Sequence, residues 1–289
     1  MKIVHLTDLH VQTRPRPREL VGKRLLGSVN LFVLGRHSKF NPTVQQAAVD
    51  AAIAEDPDVV VVTGDLTAQA LDSEFEAARE LLQPILDRFP TVLIAGNHDT
   101  YVRESAPAAR MRRWFEPWMG PRSPWLHVHG DVGFLALETC RAHPLSSGRT
   151  PPEEIPRAEA LLEEAGDRFV FLCLHYPLRG RDGAPYGPPT RALSNASIVE
   201  SMLARTDRIH AVLHGHEHHG FRTTIPSATG SIPILNPGSS GYAHIAAQDR
   251  RAHFNVYTVE DGALTDLRRL RFADGRFEPE PGGAYATGR

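Results

Sequence analysis

Seven side chains of metal-binding type sit where short apolar runs end: Asp8 and His10, Asp65, Asn97, His175, and His216 with His218. Taken singly, most of them are weak evidence. An Asp-x-His triplet such as Asp8-Leu9-His10 arises often by chance, although residues two apart at a strand end do point to one face. Gly64-Asp65 also reads as ordinary turn chemistry. His175 alone would suit a satisfied core histidine. Gly96-Asn97-His98-Asp99 weighs more, because three polar side chains directly after a buried strand are costly to desolvate unless they bind something. Gly215-His216-Glu217-His218 places two imidazoles where both can face one centre. Jointly the set is oxygen and imidazole donors without a thiolate. Such donors suit borderline or hard ions, manganese, iron or zinc, rather than copper(I) or an iron–sulfur cluster. A carboxylate bridging two ions about 3.5–4 Å apart is an arrangement that phosphatases and nucleases share.

The runs that carry these residues are Ile3–Thr7, Val59–Thr63, Val92–Ala95, Phe169–Leu174 and His210–Leu213. Continuous β-branched and leucine runs of this length predict strands buried on both faces. Asn41 is placed to cap a helix with Pro42 in its first turn, running to about Glu55. Ser73–Leu86 and Pro156–Ala165 have amphipathic helical spacing. Alternating strands and helices imply a layered α/β fold, whose ligands gather beyond the carboxyl ends of the strands. Every candidate ligand lies at that end of its strand. Further strands are predicted at Ile232–Asn236, Phe254–Val259 and Leu264–Phe272, with a hairpin joining Trp125–Val128 to Val132–Glu138. Gly275–Arg289 reads as an irregular or frayed tail. The expected organisation is a single domain over residues 1–274, interrupted by an insertion at residues 11–40.

That insertion begins with the basic, extended stretch Thr13–Arg18 and continues as Leu20–Leu26 and Val29–Leu34, an apolar, basic helix or helical pair. Structureless connections of this length are uncommon in compact domains, so a helical cap over the site is expected. Two readings compete for it. One is a lid packed on the body with its arginines exposed. The other is a helix that meets a lipid or membrane surface, since lysine and arginine beside leucine and phenylalanine suit an anionic interface.

Composition narrows the partners. The 289 residues carry a formal net charge of -2, with 41% hydrophobic and 23% charged residues. No overall field favours a nucleic acid polymer, and no extended basic face with interleaved aromatics is visible. Cys140 and Cys173 lie in apolar segments and read as buried, reduced thiols. Met1–His5 is a strand rather than a signal peptide, and no apolar run approaches the ~20 residues of a membrane span. The default expectation is a cytoplasmic protein, peripheral at the membrane if the second reading of the cap holds.

The ordered motifs D-x-H, G-D, G-N-H-D, a lone H and G-H-x-H resemble those of the calcineurin-like metallophosphoesterase superfamily, in a pattern similar to its class III cyclic-nucleotide phosphodiesterase branch. The resemblance spans Asp8 to His218 without a departure. It implies a four-layer αββα sandwich, two mixed β-sheets flanked by helices. It also implies that Asp8, His10, Asp65 and His218 hold one divalent ion, and that Asp65, Asn97, His175 and His216 hold the other. A hydroxide shared by the ions would attack the phosphorus of a small phosphodiester. Asn97 and His98 would contact substrate, with Asp99 orienting His98. UDP-2,3-diacylglucosamine hydrolases keep the same motifs, so a lipid-linked nucleotide is an alternative substrate, as is a phosphomonoester. A silent scaffold is the non-enzymatic alternative, disfavoured by the intact donor set. His214 and His219 are read as structural or solvent-facing and His143 as a surface histidine. Asn236–Ser239 would support the site wall.

Overall fold

Two six-stranded sheets stack face to face in the computed structural model, which describes residues 1–33, 35–104, 106, 108–143, 145–243 and 251–286. The first sheet runs in the order β12 (Arg276–Pro279), β11 (Ala263–Ala273), β10 (His253–Glu260), β1 (Lys2–Leu6), β2 (Val59–Val62), β3 (Thr91–Leu93). The second runs β4 (Trp125–His129), β5 (Val132–Ala136), β6 (Phe169–Cys173), β7 (Ala211–Leu213), β9 (Gly230–Gly238), β8 (His219–Ser227). Both sheets are mixed. β1, β2 and β3 are parallel, as are β5, β6, β7 and β9, while β10, β4 and β8 pair antiparallel with their neighbours.

The continuous apolar runs are explained by what each face touches. On β1, β2 and β6, Ile3, Val59, Val61, Phe169 and Phe171 point between the sheets, where they meet Phe134, Leu213, Leu235 and Tyr257. Their alternating partners Val4, Val60 and Val62 pack under α2 (Pro42–Ala54), α3 (Asp72–Leu86) and α4 (Ala109–Phe115). Val170 and Leu172 pack under α5 (Glu154–Ala165) and α6 (Ala196–Arg205). Both faces of these strands are dry, so no polar alternation appears in their sequence. The result is helices, sheet, sheet, helices, the expected αββα order. The helix signals hold as well: Asn41 Oδ1 accepts the Thr43 amide at 2.8 Å, with Pro42 in the first turn.

Residues 11–40 fold as short helical pieces: turns at Pro17–Glu19 and Arg36–Lys39, α1 (Lys23–Ser28), and a wide turn at Val29–Val33. Leu34, the end of the predicted second helix, lies outside the described residues. The buried Arg24 ties α1 to the body by donating to the Gln69 and Ala70 carbonyls.

The expectation of an irregular tail from Gly275 is corrected. Arg276–Pro279 pairs with β11, and behind it Glu280 meets the guanidinium of Arg269 at 3.2 Å, both side chains buried. Tyr285 donates to the Asn236 carbonyl at 2.9 Å. A buried charge is tolerated only when paired, so this contact anchors the segment that its Gly- and Pro-rich composition hid. Residues 287–289 lie outside the described residues.

Candidate metal centre

The loops after β1, β2, β3, β6 and β7 meet at one end of the two-sheet stack, and with them all seven candidate ligands. Four of these occupy left-handed backbone: Asp8 (φ 52°), His10 (φ 52°), Asp65 (φ 53°) and His216 (φ 69°). Such φ values are uncommon outside glycine and each costs on the order of 1–3 kcal/mol, a strain that clusters at functional sites. Two glycines show how closely the loops approach. A Cβ on Gly96 would lie 2.1 Å from Asp65 Oδ1, and one on Gly215 would lie 2.0 Å from Thr7 Oγ1 and 2.6 Å from Asp8 Oδ2. Any side chain there would push two of the loops apart.

The two carboxylates share a design. Asp8 Oδ2 accepts Thr7 Oγ1 at 2.7 Å and the His216 amide at 3.0 Å. Its Oδ1 is buried without a hydrogen-bond partner among the described residues and faces His10 Nε2 at 3.7 Å and His218 Nε2 at 3.6 Å. Asp65 Oδ1 accepts the His98 amide at 2.7 Å, while Oδ2 lies 3.6 Å from His10 Nε2 and 3.5 Å from His175 Nε2. One oxygen of each carboxylate is therefore fixed by the protein, and the other is aimed among imidazole nitrogens. Asn97 Oδ1 lies 3.1 Å from His175 Nε2 and 2.8 Å from His216 Nδ1. His175 Nδ1 engages the Thr63 carbonyl at 2.7 Å, which leaves Nε2 as the lone-pair nitrogen of the neutral ring. His10 and His218 bring their Nε2 atoms to 3.1 Å. Donor atoms this close, with a buried unpartnered carboxylate oxygen among them, fit cations. Ligand atoms of Asp8, His10 and His218 lie within 4.8 Å of one another, as do those of Asp65, His175 and His216, and those of His10, Asp65 and His98.

Electrostatics agree. Burial opposes charge on Asp8 and Asp65, yet the surrounding imidazoles hold both carboxyls well below their usual range. Burial alone would depress His175, but the Asp65 and Asp8 carboxylates outweigh it and push the ring up to about 9. The site favours positive charge, and a cation held there would take the place of that proton. His216 is held well below its ordinary value by burial and by His175. Behind the candidate ligands, His5 and His214 are fully buried, not solvent-facing, and burial pushes them down to about 3 and about 4.

His98 sits at the half-buried rim, with Nδ1 on the Ala68 carbonyl at 2.6 Å and its ring stacked on Tyr101. The expected Asp99–His98 pairing is corrected. Asp99 accepts the amides of Leu66, Thr67 and Gly96 and the Thr67 hydroxyl, so it staples the loop after β2 to the loop after β3. It positions His98 only through that backbone. Ser239, read from the sequence as part of the site wall, donates its Oγ to the Asp8 carbonyl at 2.6 Å; the support that sequence reasoning missed is Arg269, whose Nε donates to the Pro237 carbonyl at 2.9 Å. Both brace the 236–239 wall, and the only hint in sequence was the Asn-Pro-Gly-Ser turn itself. His143 is half-buried rather than a plain surface residue, and its Nδ1 takes the Leu145 amide. Cys140 and Cys173 are buried free thiols.

A family model described as calcineurin-like phosphoesterase matches residues 1–220. The chain is 24% identical over 266 residues to glycerophosphodiester phosphodiesterase GpdQ of Enterobacter lignolyticus, a match covering 89% of this chain and 87% of that protein. It is 23% identical over 211 residues to a probable cyclic nucleotide phosphodiesterase of Vesicomyosocius okutanii, covering 72% and 80%. Among solved structures, a dimetal phosphatase from Danio rerio superposes with a TM-score of 0.60 at 14% identity, covering 93% of this chain and 94% of that one. That last likeness speaks for the fold alone.

Proposed function

The chain belongs to the calcineurin-like phosphoesterase family, and from that premise we propose that it hydrolyses small phosphodiesters with two divalent ions, manganese, iron or zinc. Asp8, His10, Asp65 and His218 would hold one ion, and Asp65, Asn97, His175 and His216 the other. The observation that carries this reading is Asp65 Oδ2, which stands 3.6 Å from His10 and 3.5 Å from His175, between the two donor sets. When bound, such ions supply charge stabilisation of the phosphoryl oxygens and a nucleophile at neutral pH.

The residues of the chain do the rest. The buried carboxylates, each locked by one oxygen, hold the donor geometry without reorganisation. His98 Nδ1 is occupied by the Ala68 carbonyl, so Nε2 is the atom that meets substrate. A proton held there stabilises charge on the phosphoryl group or passes to the leaving oxygen. Asn97 shares in substrate contact as well as in ligation. The diester preference is supported by the two curated relatives, both named as phosphodiesterases. On manganese-loaded protein, bis-p-nitrophenyl phosphate should turn over at least about tenfold faster than p-nitrophenyl phosphate, a difference of about 1.4 kcal/mol. A preference for the monoester would overturn the diesterase reading.

We also infer that residues 11–40 dock on an anionic lipid surface. No helix among the described residues is long and apolar enough to cross a membrane. Yet among those residues seven large apolar side chains are exposed, and five of them, Val21, Leu25, Leu26, Val29 and Val33, fall in this segment. Leu26 and Val33 are 72% and 75% exposed. The segment holds seven lysines and arginines against a single acid, Glu19; with Arg24 and Lys23 engaged by the body, the other five still leave a charge balance complementary to acidic headgroups. Sedimentation with phosphatidylglycerol vesicles should pellet the protein at low salt, and phosphatidylcholine vesicles should not. The double variant Leu26→Glu, Val33→Glu should stay in solution while cleaving bis-p-nitrophenyl phosphate at the wild-type rate. Wild-type protein that ignores acidic vesicles would end this proposal.

A further inference from the structure

One cation of the 11–40 segment turns inward toward the metal centre. Lys23, the first residue of α1, is half-buried, and its Nζ donates to the His143 carbonyl at 2.9 Å. The ammonium lies 4.2 Å from the centroid of the Tyr101 ring, and that ring stacks on His98 with centroids 5.6 Å apart. α1 is pressed onto the same tyrosine: a Cβ on Gly27 would fall 2.4 Å from the Tyr101 hydroxyl. Lys23, Tyr101 and His98 thus form a continuous strip from the inserted segment to the rim of the site. Burial lowers the Lys23 pKa, and the carboxylate that opposes this is Asp65.

The charge balance of this corner is unusual. Among the described residues no carboxylate lies within ion-pair distance of Lys23 Nζ, and one carbonyl leaves two of its three N–H groups for other partners. Asp8 and Asp65 contribute two negative charges to the proposed ligand set, and the shared hydroxide would add one. Two divalent ions would exceed these three by one, and an ammonium near the site would add a second positive charge. An incoming anion is favoured where positive charge is left in excess in a partly desolvated cleft. Arg24, the next residue, is spent on backbone carbonyls and cannot play this part.

We propose that Lys23 is a substrate-binding residue: its ammonium takes an anionic oxygen of the phosphoester held at the centre. This rests on the phosphoesterase reading given above. The competing role is a latch, in which Lys23 only ties α1 to the loop around His143. Lys23→Gln separates the two, since the amide can still donate to the His143 carbonyl but carries no charge. Lys23→Arg restores the charge.

The measurements are the dissociation constant of inorganic phosphate by calorimetry on manganese-loaded protein, and KM and kcat for bis-p-nitrophenyl phosphate. Lys23→Gln should weaken phosphate binding and raise KM, each by about tenfold, the scale of one charge-assisted hydrogen bond, with kcat within about twofold of wild type. Lys23→Arg should recover most of the loss. An unchanged phosphate affinity in Lys23→Gln, or a fall in kcat at constant KM, would overturn the assignment. If the wild-type protein binds phosphate in a Lys23-dependent way but hydrolyses neither nitrophenyl ester, the phosphoesterase reading fails and the Lys23 assignment stands.

Discussion

Replacing His98 with alanine should leave two metal ions on each chain and lower kcat for bis-p-nitrophenyl phosphate by roughly 10²–10⁴-fold, the usual contribution of a positioned acid or base. Distance alone would allow another outcome, because His98 groups with His10 and Asp65 as a possible ligand set. His98 is half-buried like the proposed ligand His218, and its Nδ1 sits on a backbone carbonyl as that of His175 does, so the non-ligand role follows from the two four-donor sets being complete without it. Removing it leaves both proposed donor sets whole. Metal content measured beside turnover separates the roles. Loss of an ion from His98→Ala would make the residue a ligand and leave the reaction without its proposed proton donor.

Asp65→Asn should have the larger effect on metal. The amide oxygen can still accept the His98 amide as Oδ1 does at 2.7 Å, so the loop keeps its tie. What disappears is the charge at Oδ2, which lies near both His10 and His175. Both ions are weakened together, and the expected content falls below one per chain, with diester turnover at background. Asn97→Ala, which touches only the His175 and His216 side, should cost a single ion. If Asp65→Asn kept both ions at full occupancy, the bridging role would be wrong.

Much of this was legible from the chain because its strands are buried on both faces. An uninterrupted run such as Val59–Val62 ends at a polar loop, and the ends of five such runs meet at the candidate site. What escaped had local physical reasons. β8 mixes exposed and buried positions and contains Pro226, so it shows neither a clean alternation nor a continuous run. α4 is only seven residues long, too short for a clear periodicity. β12 and Tyr285 depend on the long-range pairing of Arg269 with Glu280, which no local pattern reveals. Asp99 was misjudged because adjacency to His98 says nothing about direction. Its carboxylate turns back onto the amides of Gly96, Leu66 and Thr67. The inserted segment was readable as basic and apolar, but the division of labour within it was not. Arg24 and Lys23 are neighbours, one spent on the body and the other turned toward the rim.

The central claim is a centre for two ions sharing one carboxylate, and counting ions tests it most directly. Protein stripped with chelator, reloaded with manganese and freed of excess metal should carry two ions per chain by elemental analysis. A saturating value of one or zero, on protein that remains folded, would contradict the account.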